Sequence, residues 1–327
     1  MKFDRRLILS SAIAAACATV APAALAQAYP TKPITVVVAY PPGGDTDATA
    51  RMLAEKLSQR LKQTVIVDNK PGAGGTLGNS LVGRAPADGY TLLFTPNPFT
   101  TAPMVMKLST SASYDVLNGF EPIIKTSTQP LVLVAHPGVG FKTIPEMIAA
   151  AKGGKPLTYA TPGAGSPMHV VAEWLNRSAG VKITHVPYRG VGPSVVDVVA
   201  GHVNTAWVTL GAVSQYTSSG RLVPLAIADA KRSSLAPNLP TLVELGHKDV
   251  VVGAWAGFFA PKGTPADVVK LLNGHFNEIL KMPEVVEKLA TFGALPEGGA
   301  PEVLRRTNAS DFEVMGKVIK ELGVTAD

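Results

Sequence analysis

Cysteine is nearly absent: of 327 residues only Cys17 carries a thiol. Intramolecular disulfides and cysteine-built metal sites are thereby excluded. The six histidines are scattered without the local spacing of a zinc site, so no metal is expected. Charge is sparse, at 17% of residues, and the net +6 is spread without any basic block. Nucleic acid is therefore an unsuitable partner. No Gly-x-Ser-x-Gly elbow and no Gly-x-x-x-x-Gly-Lys phosphate loop occurs. Gly72, Gly74 and Gly78 imitate a dinucleotide fingerprint, but the spacing is wrong and no acid follows at the usual distance. They are read as a packing turn, and no cofactor is expected.

What is present begins with a targeting pattern. Lys2, Arg5 and Arg6 precede an apolar, small-residue run from Leu7 to Leu25, and Ala24-Leu-Ala26 offers a cleavage site before Gln27. This is the layout of a secretory signal peptide over residues 1–26, removed on export rather than retained as a membrane span. Cys17 lies inside it, and the Ala14-Ala-Ala16 before it is a poor lipoprotein signal. The exported chain would then be thiol-free and long enough, at about 100–200 residues per domain, for two domains.

The stretch that organises the rest runs from Pro33 to Gln63. An apolar β-type run, Ile34 to Tyr40, meets Pro41-Pro-Gly-Gly-Asp-Thr-Asp47, and then Ala50, Leu53, Ala54, Leu57 and Leu61 recur at helical spacing. A helix start carries unpaired N–H groups and about half a positive charge, and glycines let backbone approach a bound group closely. Such a turn can hold an anionic oxygen without Lys or Arg. Asp45 or Thr46 can cap the helix, with Asp45 preferred, since a free acid here would oppose an anionic ligand.

The same chemistry returns in the other half. Leu157 to Ala160 reads as a strand, followed by Thr161-Pro-Gly-Ala-Gly-Ser-Pro167 and a helix carrying Val170, Val171, Trp174 and Leu175 that ends at Gly180. Two anion-receptive helix starts, one per domain, can face each other across a cleft. Ser166 before Pro167 is an ordinary N-cap, and His169 in the first turn can bond locally or meet a ligand oxygen. Around these, β-type runs at 64–68, 90–94, 122–125, 131–135, 183–187, 203–209, 222–228 and 255–260 alternate with helical patterns, giving an α/β class. Thr95-Pro-Asn-Pro-Phe-Thr-Thr101 reads as a polar loop and a secondary candidate for ligand contact through Asn97. Helical patterns at 265–281, 283–289 and 301–322 would complete the first domain's outer layer.

Tyr29-Pro-Thr-Lys-Pro33, the Pro-Pro-Gly-Gly turn with Asp47 and Ala50-Arg51, Asn69-Lys-Pro-Gly-Ala-Gly-Gly75, Ala87-Asp-Gly-Tyr90, Gly163-Ala-Gly-Ser166 with His169, His185-Val-Pro-Tyr-Arg-Gly190, Leu239-Pro-Thr241 and Ala260-Pro-Lys-Gly-Thr-Pro265 occur in order. Together they resemble the Bug family, the TctC-like periplasmic solute-binding proteins of tripartite tricarboxylate transporters. The resemblance implies a two-lobed, type II (Venus flytrap) periplasmic binding protein with a mixed sheet in each lobe and a two-strand hinge. It implies lobe 1 from residues 27–128 and 230–327, and lobe 2 from 129–229. It also implies an expected monomer that closes on a small organic carboxylate, a di- or tricarboxylate or an aromatic carboxylate such as an aromatic dicarboxylate, and delivers it to the membrane subunits of the transporter. The implied ligand loops are Pro42, Gly43, Gly44, Asp45, Thr46 and Asp47 in one lobe and Gly163, Ala164, Gly165 and Ser166 in the other. The chain departs from the commoner pattern at Asp45-Thr46, at Thr95-Pro-Asn-Pro98 and at Trp207. Trp207 can line the cleft and stack on an aromatic ring, or belong to the core.

Two other classes compete. Ser166, His169 and Glu173 share a helix face and imitate a nucleophile, base and orienting acid, so a Ser/His hydrolase is the enzyme alternative. Capping explains Ser166 more simply, and no catalysis is expected. A ligand sensor docking on a membrane signalling partner is the third class.

Overall fold

The structure, a computed structural model, describes residues 29–325. The expected signal peptide and Cys17 lie outside the described residues. The strand, glycine turn and helix order runs through β1 (Ile34–Val38), α1 (Asp45–Leu61), β2 (Val65–Asn69), α2 (Thr76–Gly83), β3 (Thr91–Pro96) and α3 (Pro98–Val105). The chain continues through β4 (Phe120–Gln129), β5 (Leu131–Ala135), α4 (Ile144–Lys152), β6 (Thr158–Thr161), α5 (Pro167–Ala179), β7 (Thr184–Pro187), α6 (Val191–Ala200), β8 (Thr205–Thr209), α7 (Leu210–Ser218) and β9 (Val223–Ile227). It ends with β10 (Ala254–Pro261), α8 (Ala266–Ile279), α9 (Pro283–Thr291), β11 (Leu295–Pro296) and α10 (Pro301–Leu322).

Two mixed sheets result. The first has the order β11-β4-β10-β3-β1-β2 and the second β7-β6-β8-β5-β9. In the first, β1 runs parallel to β2 and β3, while β10 is antiparallel to β3 and β4. In the second, β6 runs parallel to β7 and β8, while β5 is antiparallel to β8 and β9. The chain crosses between sheets at Pro130, between β4 and β5, and again after β9. In an open α/β sheet, ligands bind outside the carboxyl ends of parallel strands. The turns after β1, β2 and β3 leave that edge of the first sheet, and those after β6, β7 and β8 leave the same edge of the second.

The segment from Thr95 to Thr101, read as a loop, instead finishes β3 and opens α3. Pro98 sits at the helix start, where a missing N–H costs nothing. Pro103 lies inside and leaves the Phe99 carbonyl without its helical donor. The Tyr114 hydroxyl donates to that carbonyl at 2.7 Å, which is why eight residues containing two prolines stay helical. Thr241 and Glu244 form reciprocal capping bonds, at 2.9 and 3.1 Å, that close a turn and not a helix.

The last helix does more than complete the first domain's layer. Leu304 packs with Phe99, Trp255 and Phe259 against the first sheet. Met315, Val318 and Ile319 join the core of the second sheet with Leu131, Leu133 and Val171. An amphipathic helix of 22 residues is long enough to bury its apolar stripe on both.

Near the crossing, Trp255 donates its indole N–H to Asp311 at 2.6 Å. Burial lifts the Asp311 carboxyl, and it pushes Asp229, which directly follows β9, up to about 6 against the opposing pull of Lys125. The folded value of Asp229 lies above its ordinary 3.8, so the neutral acid favours folding. That contribution is complete below the unfolded pKa and is lost as pH rises through the folded value. Asp229→Asn is therefore expected to raise the midpoint of thermal unfolding by a few degrees near pH 8 and to leave it unchanged near pH 4. Equal shifts at both pH values would refute the linkage.

Candidate functional site

The first turn is built around Asp47. Its carboxylate is 4% exposed. It accepts the Gly43 N–H at 3.0 Å, the Asn69 amide at 2.8 Å and a two-pronged bond from Arg51 at 3.0 Å on each oxygen. Asn69, brought beside the turn because β2 pairs with β1, also donates to the Tyr40 carbonyl at 3.0 Å. Burial pushes the Asp47 pKa upward, but the bonds from Arg51, Gly43 and Asn69 outweigh it and hold the carboxyl below the ordinary value. Asp47 is thus a brace for the turn and has no free acceptor face to offer a ligand cation.

Asp45 does not cap. The helix begins at Asp45 itself, with Gly44 at the N-cap and no side-chain bond there, so a side chain one position too late cannot reach back. The first helical bond runs from the Ala48 N–H to the Gly44 carbonyl at 2.9 Å. Among the described residues the N–H groups of Gly44, Asp45, Thr46 and Asp47 have no partner. Pro42, Gly43 and Gly44 are exposed, Thr46 is half-buried, and a Cβ added at Gly43 or Gly44 would meet nothing within 4 Å. Asp45 keeps solvent contact, carries no hydrogen bond among the described residues, and has its pKa raised by desolvation.

The second turn is more heavily bonded than the sequence suggests. Ser166 caps α5 as expected, accepting the His169 N–H at 3.3 Å, and its hydroxyl donates to the Gly163 carbonyl at 2.7 Å. The Gly163 N–H goes to the Thr161 hydroxyl at 3.3 Å, and that of Gly165 to His169 Nδ1 at 3.0 Å. Among the described residues, the N–H groups of Ala164 and Met168 remain without partners. Burial lowers the His169 pKa, so the neutral ring accepts through Nδ1 and carries its proton on Nε2. His169 stacks on His185 with ring centres 3.8 Å apart, and the Thr161 hydroxyl bonds His185 Nε2 at 2.7 Å. Burial and the neighbouring His169 bring His185 down to about 4.

This packing also decides the proposed catalytic set. The Ser166 hydroxyl is held by Gly163, His169 Nδ1 by Gly165, and the Glu173 carboxylate by the Tyr159 hydroxyl. His169 is 8% exposed and packs inside the lobe beside Tyr159 and His185. Among the described residues no group of three His, Cys, Asp or Glu side chains stands close enough to hold a metal.

The second turn meets the end of α3 in the other lobe. Gly165 has φ +73°, and a Cβ built on it overlaps Cγ2 of Val105 at the end of α3. Asn97, 3% exposed, fixes the start of α3 to the crossing segment by donating its amide to the Gly253 carbonyl at 2.9 Å. Trp207 is 2% exposed and packs with Leu133, Tyr159 and Val170, which favours its core role over ring stacking. A cavity of about 810 Å³, lined by Ile144, Leu210, Leu235, Leu239 and Gly293, contains none of the turn residues. Sequence reading missed Arg51, Asn69 and Val105 as partners of the turns: Arg51 lies one helical turn beyond Asp47 and was legible as an i,i+4 pair, whereas Asn69 arrives through strand pairing and Val105 through lobe contact.

Residues 49–324 match the family model described as "Tripartite tricarboxylate transporter family receptor". The chain belongs to that family. Receptors of this family are solute-binding proteins, and the fold is the periplasmic binding fold, α/β with one mixed sheet per lobe. Protein BugT of Bordetella pertussis is 37% identical over 322 residues, covering 97% of this chain and 98% of BugT. The structure of Rpa4515 from R. palustris with adipate is 30% identical, spans 91% of this chain and 99% of that one, and superposes with a TM-score of 0.81. MatC from Rhodopseudomonas palustris with bound malate is 29% identical over 89% of this chain and 100% of its own, with a TM-score of 0.78. Among the described residues of this receptor, no helix is long and apolar enough to cross a membrane.

Proposed function

We propose that this receptor is exported by its leader to the periplasm, captures a small organic carboxylate by lobe closure and delivers it to the membrane subunits of a tripartite tricarboxylate transporter. The observation that carries the reading is the run of unpartnered N–H groups from Gly44 to Asp47 behind a glycine N-cap. Four free amides and the positive end of a 17-residue helix form an anion seat needing no cation. Each bond to a carboxylate contributes about 1.5–3 kcal/mol, so a few of them account for micromolar binding. The adipate and malate held by two relatives support a carboxylate cargo.

The two turns are unequal, and this gives closure an order. The first presents four free amides, and the second, with its serine cap, presents fewer. The ligand then settles on the first lobe and recruits the second, shifting the open–closed equilibrium by its extra contacts. The lobes follow the two sheets, residues 27–128 with 230–327 against 129–229, with α10 bridging them. Calorimetric titration with a panel of small mono-, di- and tricarboxylates tests the proposal, and failure of every member to bind would overturn it.

Asp45 adds a charge effect to that panel. Its side chain hangs from the second residue of the anion seat, and its carboxylate has no hydrogen-bond partner among the described residues. Asp45→Asn is expected to tighten binding of a dianionic ligand about three- to tenfold at low ionic strength, with the gain shrinking in about 0.5 M salt. Unchanged affinity at low salt would show that the Asp45 carboxylate does not act on the bound anion.

A further inference from the structure

His169 stands in the first turn of α5 and faces back into the turn that precedes it. Its Nδ1 accepts the Gly165 N–H at 3.0 Å, and its own backbone N–H goes to the Ser166 hydroxyl at 3.3 Å. Gly165 is buried and lies at φ +73°, in the left-handed region. Glycine visits that region as readily as the others, so its own backbone does not fix the turn. The bond to the ring does.

A second histidine backs the first. His185 of β7 stacks on His169 with ring planes 16° apart, and Tyr159 of β6 stacks on His185 at 4.9 Å. His185 Nε2 bonds the Thr161 hydroxyl, which in turn takes the Gly163 N–H at 3.3 Å. The two rings thus brace the two glycines of the turn, His169 directly and His185 through Thr161. The titratable groups facing His169 among the described residues are Tyr159 and His185 from the sheet and Glu173 from its own helix, whose carboxylate holds the Tyr159 hydroxyl. The end of α3 presents the apolar Val105 to the turn, and α10 contributes Met315, Val318 and Ile319 to the core beside α5. The ion pair of α10 with α5, Glu321 with Arg177, lies about two turns further along α5.

Protonation inverts the bond to Gly165. The neutral ring carries its proton on Nε2, so a second proton must go to Nδ1, which then confronts the Gly165 N–H as donor against donor. Burial depresses the His169 pKa against the opposing pull of Glu173, whereas burial and the neighbouring His169 both depress that of His185. The pair therefore takes its first proton at His169. The brace holds at neutral pH and is lost as pH falls through the lowered pKa of His169.

We infer that His169 is a positioning residue of the second turn: its neutral ring holds the Gly165 amide, and with it the left-handed turn that meets the other lobe, and a proton on Nδ1 lets that turn go and loosens the receptor's hold on its ligand in acid. The binding half of this inference rests on the carboxylate reading above, and the bracing half stands without it. Its sign is opposite to that of a direct electrostatic role, since a cation at the turn would draw an anionic ligand in and tighten binding as pH falls.

Two variants isolate Nδ1. In His169→Asn the amide oxygen stands near the place of Nδ1, keeps the acceptor and takes up no proton, whereas in His169→Gln it reaches toward the place of Nε2 and the acceptor is lost. Amide hydrogen exchange of the ligand-free protein, read at Gly165, is expected to show equal protection at pH 7 in the parent and His169→Asn, and about tenfold less in His169→Gln. Near pH 4.5 the protection is expected to fall by about threefold or more in the parent and to hold in His169→Asn. Calorimetric titration with adipate, malate and citrate is expected to follow the same order: His169→Gln binds about tenfold more weakly than the parent at pH 7, and His169→Asn recovers most of that loss. Between pH 7 and about pH 4.5 the parent is expected to lose about threefold or more beyond what His169→Asn loses, the ligand's own titration being common to both. Equal exchange at Gly165 in the parent and His169→Gln, parallel pH profiles in the parent and His169→Asn, or a parent that tightens in acid relative to His169→Asn, overturns the brace. Failure of all three acids to bind counts against the carboxylate reading, and the exchange comparison, which needs no ligand, then upholds or overturns the brace by itself.

Discussion

Gly165→Ala is expected to weaken carboxylate binding about a hundredfold or more, with little effect on folding of either lobe. Two costs fall on the closed form. The backbone at φ +73° is left-handed, which costs a residue with a side chain about 1–2 kcal/mol. The added Cβ also overlaps Cγ2 of Val105 in the other lobe, so the lobes cannot approach as they do here. A closed state raised by about 3 kcal/mol loses about a factor of 100 in apparent affinity. Val105→Ala removes both γ carbons, the nearest of the overlapping atoms among them, and leaves Cβ at 2.9 Å, so the double variant should recover part of the loss while the backbone cost and a smaller overlap remain. That non-additivity, measured by calorimetry in a double-mutant cycle, identifies lobe contact as the cause. Parent-like affinity in Gly165→Ala alone would mean that this contact does not belong to the bound state.

Asp47→Ala should be nearly as damaging to binding and only moderately damaging to stability. The carboxylate ties Gly43, Asn69 and Arg51 together, and its loss releases the turn whose amides form the proposed anion seat. Gly43 is exposed and the Arg51 side chain is 51% exposed, so both regain water, and the stability loss is about 1–2 kcal/mol. Affinity is expected to fall ten- to a hundredfold, because free amides that no longer converge must be ordered by the ligand. Asp47→Asn keeps the shape and loses the charge pairing with Arg51, so it should lie between. Because the Asp47 pKa is depressed, its bracing persists from neutral pH down through the unfolded value of 3.8 and is lost only as pH falls through the folded one. Thermal unfolding and titration run in parallel check both halves, and an Asp47→Ala variant that binds like the parent would sink the bracing role.

Much of the site was legible because its chemistry is local. The Pro-Pro-Gly-Gly turn, the Ser166-Pro167 helix start and the placing of His169 in the first turn of α5 depend on residues within one turn of each other. The Asp45 cap failed by a single residue: the helix starts one position earlier than the periodicity of Ala50, Leu53 and Leu57 can resolve, and Asp47 takes the Gly43 amide instead. Helix α3 was hidden because Pro98 and Pro103 read as loop formers, and the bond that rescues the Phe99 carbonyl comes from Tyr114, fifteen residues away. Trp207 carried two readings because its alternation on β8 says only that it faces one side of a sheet, and the cover on that side comes from α5 and the distant α10.

By itself the sequence determined the repeating strand–turn–helix units and the two glycine turns, since these follow from short-range backbone preferences and apolar periodicity, and its motifs, taken in order, carried the resemblance to the family. Only the tertiary structure decided which amides stay free, that Asp47 braces while Asp45 stands alone, that Gly165 meets Val105 and that the His169 ring holds the Gly165 amide. Those outcomes hang on parallel pairing that sets Asn69 beside Asp47 and on packing that brings the end of α3 against the turn before α5, contacts between residues far apart in the chain that no local pattern encodes.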